Sequence, residues 1–336
     1  MTSPVSLERF ILEGQHEHPQ ATGELSLLLM RFGAAGKRIA RELALAGLRK
    51  MHGSAHSANP SGEEQTKLDM VANEILLETF DYGGLVSLAA SEELEEPRVY
   101  AGGSEEGKYA VLFDPMDGSS NIDVNGSLGT IFSIRRRRGA DVDDLLRPGG
   151  EQVAAGYIHF GPAVLLVYTS GQAVHLFTLD PSIGEFLLTE RAVRMPARGR
   201  GYAANEGRSQ GWPPGVRAFV EYLKEKDPES GRPYSTRYSG SLVADFHRIL
   251  LEGGIYFYPP DLSPKGKAGG KLRVLYECHP LALLAKISGG GATTGSGPIL
   301  DVVPGSLHAR TPFAIGSAAE VALYERFSRG EGPPVD

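Results

Sequence analysis

The segment Phe113–Asn121, FDPMDGSSN, carries the residue types best suited to chemistry. Asp114 and Asp117 close an apolar run and lead directly into Gly118, Ser119 and Ser120. Two carboxylates around a proline turn can converge on one divalent cation, while the amides and hydroxyls that follow can hold phosphate oxygens. Ser91-Glu92-Glu93 ends an earlier apolar run, LVSLAA, with two more acids. Strand ends cluster at one edge of a sheet, so these four carboxylates can share a pocket. Glu277, Asp69 in KLD and Glu63 in the polar stretch before it bring the candidate acids to seven. So many like charges repel unless cations neutralise them, which points to Mg²⁺ or a similar hard ion, about two or three per site. Such ions polarise a phosphoryl group, steady its leaving oxygen and acidify a bound water, which is phosphatase chemistry.

The elements that must carry these residues read as follows. Leu25, Leu28, Leu29, Phe32, Ile39, Leu43 and Leu45 predict an amphipathic helix over ~24–48. Residues 52–62 read as a mobile polar loop, leading into a second helix with Leu68, Val71, Ile75, Leu76 and Phe80. Strands are predicted at Leu85–Ala90, Tyr109–Phe113, Thr130–Ile134, Ala154–Phe160, Val164–Tyr168 and Val174–Leu179. Past Pro196 helices (Val216–Lys224, Leu242–Glu252, Pro280–Ser288) alternate with strands Gly254–Tyr258 and Lys271–Tyr276, and Ser263–Gly270 reads as a surface loop. The texture changes near Met195–Arg200, which predicts domains at 20–196 and 197–328, with poorly ordered ends at 1–19 and 329–336. The run Arg135–Arg138 reads as a solvated strand end, His247 as a packed helix residue, and Cys278 as structural rather than nucleophilic.

Length supports two domains, since 336 residues exceed the ~250–300 at which one core stops growing. Lys and Arg total 34 against 41 Asp and Glu, a net charge of −7 that offers no footprint for nucleic acid or an anionic membrane. No apolar run approaches the ~18–20 residues of a membrane span, and Glu8, Glu13 and Glu17 interrupt the N-terminus where an export signal needs apolar residues. The single cysteine excludes an intrachain disulfide and suits a reducing compartment, so a cytoplasmic location is expected.

FDPMDGSSNID, followed in order by SLGTIF, VAAGY, NEG, RYSGSLVADFHR, GGIYFYP, KLRVLYEC and ILDVVP, resembles the blocks of class I fructose-1,6-bisphosphatases over roughly residues 20–328. These belong to the wider metal-dependent, lithium-sensitive sugar and inositol phosphatases. The resemblance implies an α/β (α+β) fold, a two-domain layered αβαβα sandwich with the active site in the cleft between domains. It implies Mg²⁺, or Mn²⁺ or Zn²⁺, held by Glu92, Glu93, Asp114, Asp117, Glu277 and the carbonyl of Met116, which replaces the usual leucine. Asp69 and Glu93 match the general-base pair, and Glu63 the acid that a loop inserts, where many relatives carry Asp. Asp117, Gly118, Ser119 and Ser120 fall to the reacting phosphate. Asn205, Tyr238, Tyr256, Phe257, Tyr258 and Lys271 fall to the sugar and its second phosphate. Arg237 corresponds to an arginine that reaches the neighbouring subunit's site, in an expected homotetramer. Thr22, Gly23, Glu24, Ser26, Lys108, Tyr109 and Arg136 stand where relatives bind the inhibitor AMP.

The activity so implied is hydrolysis of the 1-phosphate of fructose 1,6-bisphosphate by metal-activated water, in gluconeogenesis or a sugar-phosphate cycle. One alternative is dual action on sedoheptulose 1,7-bisphosphate, since one sugar carbon is a small energetic difference. Another is a catalytically silent regulatory protein on the same fold, against which the seven acids argue, because a binding module has no use for repelling carboxylates.

Overall fold

Alternation of side chains along the strands sorts this protein into layers. The structure is a computed structural model describing residues 4–16, 22–100, 108–139 and 141–333. An eight-stranded sheet runs in the order 185–190, 174–180, 164–169, 152–160, 128–136, 109–117, 86–91 and 98–99. Its neighbours are antiparallel except Val86–Ser91 beside Tyr109–Asp117. On one face Val111, Phe113, Phe132, Ile134 and Ile158 meet helices α1 (Leu7–His16), α2 (Glu24–Leu45) and α3 (Lys67–Phe80). Phe32 of α2 stacks on Phe132 with ring centroids 3.9 Å apart.

Three further helices, α4 (Pro214–Lys224), α5 (Leu242–Glu252) and α6 (His279–Ser288), belong to the second half of the chain, with α7 (Ala318–Ser328) last. The opposite face of the large sheet presents Ile131, Ala155, Tyr157 and Val167 to α5 and α6, through Phe246, Leu250, Leu281 and Leu284. Beyond these lies a five-stranded sheet in the order 235–236, 201–203, 255–258, 313–316 and 291–293. Tyr256, Phe313 and Ile315 face inward to α5 and α6, whereas Phe257 and Ala314 face out to Phe219 of α4 and Tyr324 of α7. The result is the αβαβα layering. No helix among the described residues is long and apolar enough to cross a membrane.

Several expectations are corrected. The first nineteen residues contain the packed helix α1, whose Leu7 and Ile11 are buried against the sheet edge, while Leu188 N–H donates to the Val5 carbonyl. Its apolar stripe is short and set among glutamates, too brief for periodicity to register. At the other end Gly330 N–H bonds the Phe327 carbonyl and Arg326 holds the Gly332 carbonyl, so 329–333 folds back on α7. Residues 1–3, 17–21 and 334–336 lie outside the described residues. The 52–62 stretch contains strand Ser54–Ala58, paired with Glu64–Thr66. The strand expected over 271–276 is only Leu272–Arg273 and passes into a π-helical turn, Val274–Cys278. Arg135, expected in solvent, is completely buried.

Candidate active site

A β-bulge brings the two aspartates together. Asp114 pairs with Ile131 and Asp117 with Gly129, so three steps on one strand match two on its neighbour. In a regular strand residues three apart face opposite sides; the extra residue restores parity. Next to this strand, Glu92 N–H bonds the Phe113 carbonyl, fixing the end of Val86–Ser91 beside Asp114. Glu277 arrives from the second half of the chain on the π-helical turn, which is fixed by Val274 N–H to the Ala309 carbonyl and closed by His279 N–H to the Val274 carbonyl.

Glu92, Asp114 and Glu277 converge, each offering an oxygen within 4.8 Å of the others, and all three are buried. Burial, then the neighbouring carboxylates, pushes Asp114 well above the ordinary carboxylate range. Burial also raises Glu92 and Glu277, outweighing the Arg273 guanidinium between them. Arg273 reaches Glu92 at 2.8 Å and lies 3.7 Å from Glu277, while its N–H donates to Glu277 Oε2 at 2.6 Å. Glu92 Oε2 remains buried with no hydrogen-bond partner. An oxygen-only donor set with an orphaned buried oxygen fits a hard divalent cation.

Asp117, next to this trio, is held differently. Its carboxylate accepts from Ser241 Oγ (2.6 Å), Leu242 N–H (3.1 Å) and Val243 N–H (2.8 Å), so it sits on the N-terminus of α5. The free amides there favour an anion. Burial nevertheless raises Asp117 above its usual range. This docking explains two glycines. At Gly118, with φ +79°, a Cβ would lie 2.7 Å from Ser241 Cβ, and at Gly129 a Cβ would strike Val243. Met116 has its side chain buried, and its N–H donates to Asp114 Oδ1 at 2.9 Å. Ser119 and Ser120 begin the 3₁₀ turn Ser119–Val124, with Ser120 exposed.

The remaining acids line the approach. Glu93 accepts from Gln65 Nε2 at 2.5 Å, and burial raises its pKa. Asp69 closes a capping box on α3, taking Thr66 N–H at 2.7 Å, and burial with Glu93 nearby pushes it up to about 6. Glu63 behaves oppositely. Burial alone would raise it, but Arg273 (2.8 Å), Lys267 (3.1 Å) and Arg310 (3.2 Å) hold it at about 2. Sequence reasoning missed Arg273, Arg310, Gln65 and Ser241, because a basic or small polar residue announces nothing until its partners are known. Cys278 is fully buried, and burial, then Glu277, pushes its thiol up, so it offers no nucleophile.

Among the residues expected at the sugar, Asn205 hydrogen-bonds Tyr238, whose hydroxyl is pushed up to about 12 by burial and the nearby Tyr258, Asp245 and Asp117. Lys271 Nζ lies 5.6 Å over the Tyr258 ring. Tyr256, on the same strand face, feels Tyr238, Asp117 and Glu277. Phe257 is a correction: alternation turns its side chain to the other face, where it is fully buried among Trp212, Phe219 and Tyr324. Arg237 is exposed and donates to its neighbour's carbonyl, Thr236 O. Elsewhere, Lys108 bonds Glu24, Thr22 bonds Glu24, and Arg136 lies 5.4 Å over the Tyr109 ring, beside Gly23 at the start of α2. Ser26 is half-buried in the first turn of that helix.

Comparison with known proteins gives one answer. Residues 5–191 match the family Fructose-1-6-bisphosphatase, N-terminal domain, and residues 195–329 its C-terminal domain. The chain is 48% identical over 335 residues to "Fructose-1,6-bisphosphatase class 1" of Chlorobium luteolum, covering 98% of this chain and 99% of that protein. It is 48% identical over 332 residues to that of Chloroherpeton thalassium, covering 97% and 94%. The crystal structure of Leishmania major fructose-1,6-bisphosphatase in holo form superposes with a TM-score of 0.90 at 37% identity, covering 97% of this chain and 99% of that one. Spanned from residue 5 to residue 329 by the two halves of a single enzyme family, the chain belongs to the class 1 fructose-1,6-bisphosphatases, phosphatases that hydrolyse fructose 1,6-bisphosphate.

Proposed function

We propose that this phosphatase works with Mg²⁺ at the Glu92–Asp114–Glu277 cluster and releases the 1-phosphate. The observation that carries the reading is a buried, oxygen-only trio of carboxylates, one oxygen left unpaired, whose Asp114 lies on the strand that runs into the Gly118–Ser120 turn. The family is metal-dependent, and the bound cation supplies Lewis-acid polarisation and an acidified water. Asp69 and Glu93, whose pKa values burial raises, would serve as the bases that accept a proton from the attacking water. Amides and hydroxyls of Gly118, Ser119 and Ser120 orient the reacting phosphate. Asn205, Tyr238, Tyr256, Tyr258 and Lys271 hold the sugar and the far phosphate, whose binding energy positions the scissile bond. Glu63 enters the site with its loop, and Glu93 and Asp117 serve any second or third ion.

Arg237, exposed in the single chain, completes a neighbour's far-phosphate clamp in a homotetramer. AMP regulation at Thr22–Ser26, Lys108, Tyr109 and Arg136 is supported by the gathering of these residues at the start of α2. A flat rate up to millimolar AMP at saturating Mg²⁺ would remove that assignment. A cytoplasmic location rests on the single cysteine.

The test is phosphate release from fructose 1,6-bisphosphate and sedoheptulose 1,7-bisphosphate, side by side, with Mg²⁺ and with EDTA. Release that needs Mg²⁺ and favours the six-carbon sugar is expected. Equal rates on both sugars make the enzyme dual, and release unaffected by EDTA overturns the metal reading.

A further inference from the structure

Arg135 is the unexplained residue of the arginine run. Its neighbours are surface charges or have a carboxylate: Arg136 lies over Tyr109, Arg138 pairs with Glu151 at 2.9 Å, and the largely covered Arg137 lies 3.6 Å from Asp144. Arg135 is instead completely buried, and no described carboxylate pairs with it. Its guanidinium donates to the carbonyls of Arg147 (3.1 Å) and Pro148 (3.2 Å) and meets His279 Nδ1 at 3.0 Å, while Nε has no partner. An arginine has only donors, so Nδ1 must accept and the ring proton lies on Nε2. A buried cation with no carboxylate in contact is costly, and here only the more distant Glu151 and Asp144 offset it.

The geometry around His279 shows what the arginine holds. It is the first residue of α6, two positions after Glu277 and directly beyond the π-helical turn. The His279 carbonyl accepts from Gln152 Nε2 at 2.9 Å, and the same Nε2 bonds the Gly149 carbonyl at 2.7 Å. A Cβ at Gly149 would lie 2.7 Å from the imidazole, so the ring rests on bare backbone. Its own N–H goes to Val274 and its ring also meets the backbone of Ile299 and Val302, whereas the bonds from Arg135 and Gln152 come from the large sheet, the side of the molecule that also carries Asp114.

We infer that Arg135 and His279 form a buried positioning pair that fixes the Glu277 turn to the sheet carrying Asp114, and so sets the spacing of the carboxylates that receive the metal. The pair touches neither metal nor substrate; it acts through Glu277. The inference rests on the reading of Glu277 as a metal ligand. Without the tie, the turn keeps the packing of Leu275 and Tyr276 on the sheet and the Arg273–Glu92 ion pair but loses the clamp directly beyond Glu277, and the cluster loosens by enough to weaken a cation that needs all three oxygens.

The experiment is Mn²⁺ binding to the full-length protein without substrate, followed by the EPR signal of free Mn²⁺, with kcat, KM and the melting temperature measured in parallel. Arg135→Met and His279→Leu are each expected to weaken Mn²⁺ about tenfold. They should raise the half-saturating Mg²⁺ by the same factor and leave KM for fructose 1,6-bisphosphate within about twofold at saturating metal. His279→Asn, whose side-chain oxygen takes the place of Nδ1 as acceptor, should restore binding. Arg135→Lys keeps the buried charge and loses the imidazole bond; as the milder change it gives a folded sample if the others do not fold, and should weaken Mn²⁺ as well. Unchanged Mn²⁺ affinity in these variants, with only a lower melting temperature, overturns the proposal. Glu277→Gln separates the two claims: if it abolishes binding while the pair has no effect, the ligand reading stands and the positioning pair falls. If Glu277→Gln binds normally, both fall.

Discussion

The edge of the large sheet and the outer face of the small one are built on opposite rules. At the first, Glu92, Asp114, Asp117 and Glu277 are buried beside one another, with Arg273 as the cation among them. At the second, Phe257 is surrounded by Trp212, Phe219 and Tyr324 at ring separations of 5.5–5.8 Å, within a cluster of aromatic and aliphatic side chains. One region gives up stability to hold a charge constellation ready, and the other supplies the packing that permits it. Substitutions should therefore act with opposite signs in the two places.

The largest effect is expected at Asp114→Asn, which should lower turnover by orders of magnitude yet raise the melting temperature in EDTA, because it removes a buried charge repelled by its neighbours. Near-native turnover in a steady-state assay would remove the carboxylate trio from the chemistry. Phe257→Ala is the mirror case: a loss of ~3–5 kcal/mol in urea unfolding, with KM unchanged in the folded fraction. A raised KM there would return its side chain to the sugar.

A subtler difference lies in pH. Asp69 titrates near 6 in the folded chain against 3.8 for an ordinary aspartate. Its base form is lost as pH falls through about 6, so the rate should drop there, about tenfold per unit below it. Stability moves the other way. Between these two values the folded state holds more protons than the unfolded one, so Asp69 costs stability as pH rises through that window, and acidification recovers it. Asp69→Asn should flatten both profiles, which a pH series of rates and of metal-free melting temperatures will read. The smallest effect is expected at exposed Arg237: replacement by Ala should raise KM about tenfold and leave kcat nearly intact. An unchanged KM would detach this residue from the substrate.

The local signals were legible where one short segment carries them. The helices α2, α3 and α5 announced themselves by periodicity, and the bulge residues Asp114 and Asp117 by their place between an apolar strand and a Gly-Ser turn. Helix α1 was too short to read, and the 52–62 stretch hid a hairpin because its strands are polar. Phe257 and Tyr256 are neighbours in one apolar strand, and only the layer on each side decides that one packs on Phe219 and Tyr324 and the other toward α5 and α6.

Residue types and their order thus determined the family of chemistry, the elements and the seven acids, since these depend on spacing along the chain. Tertiary structure decided which acids meet, that Asp117 rests on amides 125 and 126 positions further on, that Glu63 is held low by three basic groups while Asp69 is raised, and that one arginine of four is buried against His279. Charge state and orientation follow from burial and long-range partners, which spacing along the chain does not specify.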